Sequence, residues 1–513
     1  MRLSAVVVCS LLGMGGSSAA VSWLVPDTAS GASRSENGVQ TAAYETARAD
    51  EAKPTAPAVG ADAGSLAPVP EPVAASFRVP GTLGLTGRLG HSALPGDRPN
   101  ETFLFVEVDA PEEIRVENRA PVNVSIVIDR SGSMKGKRLD NAVAAARGML
   151  GRLRADDTVS LVAYDNKAQL LLPPTTVDRI DRVAFDRALS RLRGKGHTCI
   201  SCGIDMARTQ LARHRGEAIN RILLLSDGVA NRGMTKATDF RRLGDLTRLE
   251  RTAVTSIGVD VDYDERPLFA LSQASNGHHY FVENPSGLPA IFDREARNLV
   301  GTLADRVDVD VELAEGVELV EVIARGHRRQ GDRVALSFGS FTTGDAKSAL
   351  LRVRVAPGRG AQDVATVRLA YRDVTRGREE RADGSLGVQL DPELATVAAL
   401  DPKVDERLGR RDTQDALIEA NAAFSRGDIS GAQRRLDRAQ SQISQRRGNI
   451  EPEAEPVIDA DFEKQLEALA TAKANFDDAV VSAPASAPPK TVTKSRKAKK
   501  AIRLNAHNAD PFG

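Results

Sequence analysis

Residues 122–133 have the sequence Val-Asn-Val-Ser-Ile-Val-Ile-Asp-Arg-Ser-Gly-Ser, an apolar run that ends in a group of oxygen-bearing side chains. A nearly continuous apolar run of this length is typical of a strand that is buried on both faces of a parallel sheet. The group comprises Asp129, Ser131 and Ser133, whose alternate spacing allows the side chains to face one point. Gly132 lies between the serines, where the lack of a side chain permits a tight turn. We therefore expect a ligand site at the end of this strand.

Two further oxygen donors stand at comparable places in the sequence. Thr198 precedes a helical pattern, and Asp227 follows the apolar run Ile222–Leu225. Hydroxyl and carboxylate oxygens are the ligand type that hard cations prefer. The sequence therefore predicts a site for Mg2+, or for Ca2+ or Mn2+, formed by Asp129, Ser131, Ser133, Thr198 and Asp227. The alternative for residues 129–133 alone is a helix-capping loop, because Ser and Asp favour such positions.

Strand and helix patterns alternate over residues 121–302. Such alternation predicts an α/β domain with a doubly wound, mostly parallel, Rossmann-like sheet covered by helices on both faces. Ligands of these sheets collect at the carboxyl ends of the strands, which is where Asp129 and Asp227 fall. The fold class and the predicted metal site are therefore consistent with each other.

The flanking segments have different periodicities. Apolar residues alternate with charged ones over 303–391, which predicts an antiparallel β domain with one solvated face. The segment 77–120 contains a strand of the same kind, and we expect it to pair with that later β domain. Residues 392–480 have helical spacing and predict a helical hairpin or bundle, whose first two helices resemble a single tetratricopeptide-like unit.

The two ends have compositions unlike the rest. Residues 1–20 have a charged start, an apolar core and small residues at the end, which predicts a signal peptide and an exported protein of the cell envelope: periplasmic, membrane-anchored or secreted. An uncleaved anchor is the alternative. Residues 21–76 predict a disordered linker, and residues 481–513 a basic disordered tail that leaves open a weak contact with polyanions.

Composition narrows the range of functions. The chain has 513 residues and a formal net charge of +0, which gives no global reason to expect nucleic acid as a partner. The sequence has no Gly-rich phosphate loop with a lysine and no nucleophile elbow, so we expect no enzymatic activity. Cys199 and Cys202 form a pair suited to a disulfide, with redox activity as the alternative. His278 and His279 lack a cluster of other ligands, and we expect them to pack rather than bind zinc.

The metal-site residues carry a resemblance to a known family. The segments that carry it are Asp129-Arg130-Ser131-Gly132-Ser133-Met134, Gly196-His197-Thr198 and Ser226-Asp227-Gly228. They are similar to the metal-ion-dependent adhesion site of von Willebrand factor type A domains, and the flanking β segments resemble bacterial and inter-alpha-trypsin-inhibitor-like members. The resemblance implies that Ser131 and Ser133 ligate the metal directly. It implies that Thr198 and the two aspartates complete or orient the shell. His197 departs from the family, where glycine is common.

The resemblance also implies a function. We expect an exported binding protein of the adhesion type, in which the metal captures a carboxylate from a protein partner. The alternative is an envelope scaffold or assembly factor in which the metal serves only the stability of the domain. A metal-dependent hydrolase is a third class, but the five oxygen ligands lack an evident general base.

Overall fold

The computed structural model describes residues 74–113, 119–212, 218–260, 264–324, 326–451, 455–482 and 488–509. The predicted signal peptide and nearly all of the predicted linker lie outside these residues. Within them, no helix is both long and apolar enough to cross a membrane.

A six-stranded sheet forms the centre of the α/β part of the chain. Its strands are β5 (Val122–Asp129), β6 (Thr158–Tyr164), β7 (Ala168–Thr176), β8 (Ile219–Ser226), β9 (Thr252–Val259) and β10 (His279–Val282). They lie in the order β10-β9-β8-β5-β6-β7, and every neighbouring pair is parallel except β6 and β7. Because β5 and β8 are parallel neighbours, their carboxyl ends at Asp129 and Ser226 lie side by side.

Helices cover both faces of this sheet. They are α1 (Lys137–Leu150), α2 (Arg182–Ser190), α3 (Ile200–Leu211), α4 (Ala237–Leu249), α5 (Glu265–Ala274) and α6 (Leu288–Val300). Side chains of β5 feed two cores: Ile126 and Ile128 join the core that includes α1 and α6, whereas Val127 joins the core under α3, α4 and α5. Full burial of such a side chain stabilises the fold by about 1.5–3 kcal/mol. The predicted doubly wound α/β fold is confirmed.

Two antiparallel sheets form a second part of the molecule. One has the order β1-β2-β4-β15-β12, with strands Ser76–Val79, Gly84–Leu89, Asn100–Asp109, Ala346–Val355 and Val317–Ile323. The other has the order β13-β14-β11-β16-β17-β3, with strands His327–Gln330, Arg333–Thr342, Thr302–Leu313, Gly360–Asp373, Arg378–Asp391 and Ala93–Pro95. Only β3 deviates, pairing parallel with β17. Strand β4 pairs antiparallel with β15, so strands before and after the α/β part share one sheet.

The two sheets bury their apolar faces in one shared core, and we call them together the β-sandwich. Val309 of β11, Val353 of β15 and Leu104 of β4 all belong to it. The sequence predicted an antiparallel sheet with one solvated face, and the structure divides these strands between two sheets. Alternation reveals which side of a strand is apolar, but it does not reveal which sheet the strand joins.

Three long helices follow the sheets. They are α7 (Pro402–Ser425), α8 (Ile429–Arg447) and α9 (Pro456–Val481). Leu417 and Phe424 of α7 pack with Leu436 of α8 and Phe476 of α9 in one core. The rings of Phe424 and Phe476 stack with their centroids 4.1 Å apart. The predicted C-terminal helical segment is therefore present.

The expectation of a disordered tail over residues 481–513 is wrong for the residues that the structure describes. The short helix α10 (Pro489–Val492) and the helix α11 (Arg496–Ala509) lie there. Ala498 and Ala501 are buried in the core of the long helices. Three basic residues of α11 form ion pairs with carboxylates of the α/β part: Arg496 with Asp260 at 3.0 Å, Lys500 with Glu283 at 2.9 Å and Arg503 with Glu265 at 2.9 Å. The sequence did not predict α11 because its buried residues are small alanines and its ion partners lie far away in the chain.

Amide hydrogen exchange, followed by mass spectrometry, tests the docked state of α11. We expect residues 496–509 to be protected in the unaltered chain and to lose that protection in Ala498→Glu, because the substitution places an unpaired carboxylate in an apolar core. The control Lys494→Glu introduces the same carboxylate at an exposed position just before α11 and should keep the protection. Exchange of residues 496–509 at the rate of an unstructured chain in the unaltered protein would contradict the structure.

Candidate metal centre

The five predicted site residues lie on three loops at the carboxyl edge of the central sheet. Asp129 is the last residue of β5. Ser133 lies in a short 3-10 helix, Gly132–Met134, in the loop that follows. Asp227 follows the last residue of β8, the strand next to β5. Thr198 lies two residues before α3. The backbone N–H of Gly132 donates to the carbonyl of Gly196 at 3.2 Å, so the loops that carry the serines and Thr198 are joined.

Asp129 is completely buried and organises the first loop. Its Oδ1 accepts the backbone N–H of Ser131 at 2.7 Å. Its Oδ2 accepts the hydroxyl of Ser226 at 2.9 Å and that of Tyr164 at 3.3 Å. Burial raises the pKa of Asp129 to about 7, although the hydrogen bonds from Ser131 and Ser226 oppose the rise and the nearby charge of Asp227 adds to it. Asp129 therefore holds the loop in place and is poised to gain or lose a proton near neutral pH.

A chain of hydrogen bonds joins Ser131, Ser133 and Asp227. The two serine hydroxyls are 3.0 Å apart, and the hydroxyl of Ser133 donates to Oδ1 of Asp227 at 2.7 Å. Ser131 and Asp227 are buried, whereas Ser133 is exposed. Burial raises the pKa of Asp227, and the hydrogen bonds from Ser133 and Arg138 oppose that rise. Ser133 and Asp227 are separated by 94 positions in the chain, and they meet because the strands that precede them, β5 and β8, are neighbours.

Thr198 is fixed by its backbone. Its N–H donates to Oδ1 of Asn231 at 2.8 Å, and its carbonyl accepts the N–H of Asn231 at 3.2 Å. Gly228 leaves a space beside it: a Cβ atom on Gly228 would lie 3.3 Å from Oγ1 of Thr198 and 3.5 Å from Oγ of Ser133. The hydroxyls of Thr198 and Ser133 thus border one cradle that any larger residue at position 228 would fill.

The donor set fits a hard divalent cation. It offers two carboxylates and three hydroxyls, and a cation such as Mg2+ accepts oxygen ligands and keeps several waters. Among the described residues, no group of three or more His, Cys, Asp and Glu side chains has the arrangement of a metal site. The hydroxyls around the Gly228 cradle therefore have to supply much of the coordination that a cation would receive here.

Arg138 is the main feature that the sequence did not reveal. In the first turn of α1, it donates to Oδ2 of Asp227 at 2.8 Å and to the backbone carbonyl of Ser133 at 2.9 Å. It also forms an ion pair with Asp260, whose other oxygen accepts from Arg496 of α11 at 3.0 Å. Asp260 directly follows β9, so the rule that located Asp129 and Asp227 could also have located Asp260. The partners of Arg138 are too far apart in the sequence for any local spacing to indicate them.

The remaining residues that the sequence singled out have local roles. The backbone N–H of His197 donates to Oδ1 of Asn166 at 2.7 Å, and the residue is exposed. Cys199 and Cys202 form a disulfide across the first turn of α3. His278 contacts Glu295 at 3.2 Å.

His279 has a different partner: its ring contacts the hydroxyl of Ser256 at 2.7 Å, whereas His278 contacts Glu295. The two histidines therefore belong to separate hydrogen-bond networks, as expected for packing roles.

The central part of the chain is similar to a known domain family. Residues 124–229 match the model of the von Willebrand factor type A domain. A solved structure described as von Willebrand factor type A from Catenulispora acidiphila has a TM-score of 0.61 with this chain at 17% identity. That likeness covers 76% of this chain and 89% of the other, and it shows a similar fold.

Two sequence relatives cover different shares of their own lengths. An uncharacterized protein of Synechocystis sp. is 24% identical over 340 residues, which are 63% of this chain and 79% of that protein. Inter-alpha-trypsin inhibitor heavy chain H2 of Mus musculus is 27% identical over 172 residues, which are 31% of this chain and only 18% of the heavy chain. The similarity to the heavy chain therefore concerns one part of a much longer protein.

Removing the charge of Arg138 should strengthen metal binding. Its guanidinium lies 2.8 Å from a carboxylate oxygen of the site, so Arg138→Gln should increase the affinity for Mg2+ about fivefold by removing a nearby cation. Isothermal titration with Mg2+ measures the change. The control Arg147→Gln makes the same substitution on the same helix, at a residue paired with Asp186. Weaker Mg2+ binding by Arg138→Gln would mean that Arg138 serves the site by holding it together.

Metal affinity should increase with pH through about 7. At lower pH the buried Asp129 holds a proton that metal binding has to displace, whereas above its folded pKa of about 7 the carboxylate is already ionised. The same raised pKa predicts that the metal-free fold loses stability as pH rises from the ordinary value of 3.8 toward about 7. Mg2+ titration at several pH values in Asp129→Asn and in the unaltered chain checks the affinity, and denaturant unfolding of both metal-free chains at the same pH values checks the stability. A pH-independent affinity in the unaltered chain would contradict the buried, protonated carboxyl.

Proposed function

The chain carries a von Willebrand factor type A domain, and from this premise we propose that it is an exported, metal-dependent protein-binding protein of the adhesion type. The observation that supports the proposal best is the convergence of Ser131, Ser133 and Asp227 in one hydrogen-bond chain beside Thr198 and the Gly228 cradle. Domains of this family support a role in protein interaction in general. The finer proposal is that the site captures an acidic residue of a protein partner.

The residues of the site have different roles in the proposed mechanism. Ser131, Ser133 and Thr198 would hold a divalent cation, Mg2+ or else Ca2+ or Mn2+, and the bound cation would supply an electrophilic position for a partner's carboxylate oxygen. Asp129 is buried and positions the Ser131 loop through hydrogen bonds. Asp227 orients Ser133, while Arg138 offsets part of its negative charge. The exposed Ser133 leaves the site open toward solvent, where a partner can approach.

The cellular location is part of the proposal. The composition of residues 1–20 and the Pro- and Ala-rich segment that follows support export to the cell envelope, with the folded part carried on a spacer. An extracytoplasmic location also agrees with the disulfide between Cys199 and Cys202, because disulfides persist in oxidising compartments.

We also propose that the chain is not an enzyme. The carboxylates at the site are engaged by hydroxyls, by backbone N–H groups or by Arg138. A general base has to lie within reach of a proton on a substrate, and Asp129 is completely buried.

An envelope scaffold with a purely structural metal is the alternative function. The helical segment favours it, because Ile418 of α7 is 50% exposed and Val457 of α9 is 69% exposed. Leu417 and Phe424 of the same helix α7 are fully buried in the helical core. Substitutions at Ile418 therefore test a scaffold surface, whereas substitutions at Leu417 or Phe424 would only damage the fold.

Partner capture from an envelope extract, with Mg2+ or with EDTA, tests the proposed function. We expect a partner that is retained in Mg2+ and released by EDTA. Affinity for that partner should fall at least about tenfold in Asp227→Ala and in Ser133→Ala, since both remove oxygens from the site. Ser133 is exposed, so its variant should keep the fold. The control Asp186→Ala removes an exposed carboxylate from α2 that pairs with Arg147 and makes no contact with the five site residues among its described interactions.

The two functions predict different results in that experiment. If Mg2+ raises the thermal unfolding midpoint but leaves partner affinity unchanged, the metal is structural and the capture mechanism is wrong. Loss of binding in Ile418→Glu, with no effect of Ser133→Ala, would favour the scaffold function instead.

A further inference from the structure

Basic residues are concentrated on the three loops that carry the candidate metal site. Three lysines or arginines lie in residues 130–137, two in residues 193–198 and two in residues 228–236, and these ranges contain no Asp or Glu. The whole chain, in contrast, has 69 basic and 69 acidic residues. The local excess of positive charge therefore belongs to this edge of the sheet and not to the overall composition.

Backbone contacts hold the three loops together around the site. The N–H of Lys195 donates to the carbonyl of Arg130 at 2.8 Å. The side chain of Lys135 lies against the next loop, since a Cβ atom on Gly194 would be 2.8 Å from its Cγ. Arg232 directly follows Asn231, whose side chain binds the backbone of Thr198. Cations from all three loops therefore lie close to the residues of the candidate metal centre.

Two of these seven cations have partners within the protein. Arg130 forms an ion pair with Asp165 at 3.1 Å, and Arg193 donates to the backbone carbonyls of Ser190 and Leu192. The other five are exposed, and in the part of the chain that the structure describes none of them forms an ion pair. We call these five residues the basic rim: Lys135, Lys137, Lys195, Arg232 and Lys236.

Several basic residues elsewhere in the molecule, in contrast, pair with carboxylates. Arg354 on the β-sandwich pairs with Glu101 at 2.8 Å and with Glu318 at 3.0 Å. Lys500 and Arg503 of α11 are paired in the same way. Unpaired like charges around one point repel each other, and binding of an anionic group relieves that repulsion. The basic rim is therefore complementary to a negatively charged surface.

Two exposed apolar side chains accompany the basic rim. Val229 is 51% exposed and Met234 is 37% exposed, and both lie on the loop that follows Asp227. Phosphates of a nucleic acid could pair with the cations but would leave these side chains without apolar partners. A protein segment offers carboxylates and aliphatic groups together, so the combination favours a protein partner.

We propose that the basic rim binds an acidic segment of a partner protein, which places several carboxylates around the one that the metal receives. The inference rests on the proposed function and specifies its partner class. The rim cations attract the segment and set its approach, whereas the metal fixes a single carboxylate. Long-range attraction of this kind accelerates association and weakens as salt screens it. The binding of an acidic segment should therefore depend on both Mg2+ and ionic strength.

Fluorescence anisotropy with the full chain tests the proposal, with a labelled oligoglutamate peptide as probe. A Gly/Ser peptide of equal length with one central glutamate is the comparison. We expect oligoglutamate to bind more tightly, with a steep loss of affinity as NaCl is added. The variant Lys135→Gln/Lys195→Gln/Arg232→Gln should bind it about tenfold more weakly at low salt and should show a flatter salt dependence.

Matched controls separate the basic rim from general charge. The variant Arg328→Gln/Arg329→Gln/Arg359→Gln removes three exposed cations from the β-sandwich and should leave oligoglutamate binding unchanged. An unfolding midpoint that still rises with Mg2+ in the rim variant would show that the metal site is intact.

The outcomes distinguish the basic rim from the metal. Equal binding of oligoglutamate by the rim variant and the unaltered chain would overturn the proposal. Tighter binding of single-stranded DNA or of phosphatidylserine vesicles than of oligoglutamate would also overturn it, in favour of a phosphate ligand. Rim-dependent oligoglutamate binding that persists in EDTA would support the basic rim while contradicting capture through the metal.

Discussion

The carboxylate of Asp227 is held from two sides, and the arrangement of the site depends on it. The hydroxyl of Ser133 donates to one oxygen at 2.7 Å and the guanidinium of Arg138 to the other at 2.8 Å. These contacts need β5 and β8 to be parallel neighbours, because only then do their loops meet at one edge. The same pairing brings Ser226 to Asp129, so both aspartates are oriented by residues from the neighbouring strand. A buried, charged carboxylate without such partners is costly and takes up a proton instead.

Arg138 connects this site to the C-terminal end of the chain. It joins Asp227 to Asp260, and Asp260 also accepts from Arg496 of α11. The other side of α11 contributes Ala498 and Ala501 to the core of the long helices. The helical segment and the candidate metal centre therefore share one network of charges. The basic rim lies on the same loops that carry the site, so exposed cations and cations paired within the protein both lie near the two aspartates.

The sequence predicted the features that depend on local pattern. The apolar run of β5, the strand ends at Asp129 and Asp227, and the doubly wound fold class follow from periodicity and from the rule that ligands collect at strand ends. The sequence did not predict the features that depend on contacts between residues far apart in the chain. Arg496 lies 236 positions from Asp260. The order of α11 comes from small alanines that pack in a core built by other helices, and composition alone indicates disorder there. Alternation likewise identified apolar strand faces without showing that two sheets share them.

The central claim is that Asp129, Ser131, Ser133, Thr198 and Asp227 form one divalent-cation site. Anomalous X-ray diffraction from crystals of the full chain grown with Mn2+ tests it most directly, because the scattering locates the ion without assumptions about coordination. We predict one strong peak beside the Gly228 cradle, in contact with the hydroxyl oxygens of Ser131 and Ser133, and its absence in crystals of Ser133→Ala. A crystal saturated with Mn2+ that has no peak at this edge of the sheet, or whose peak lies among other residues, would contradict the account.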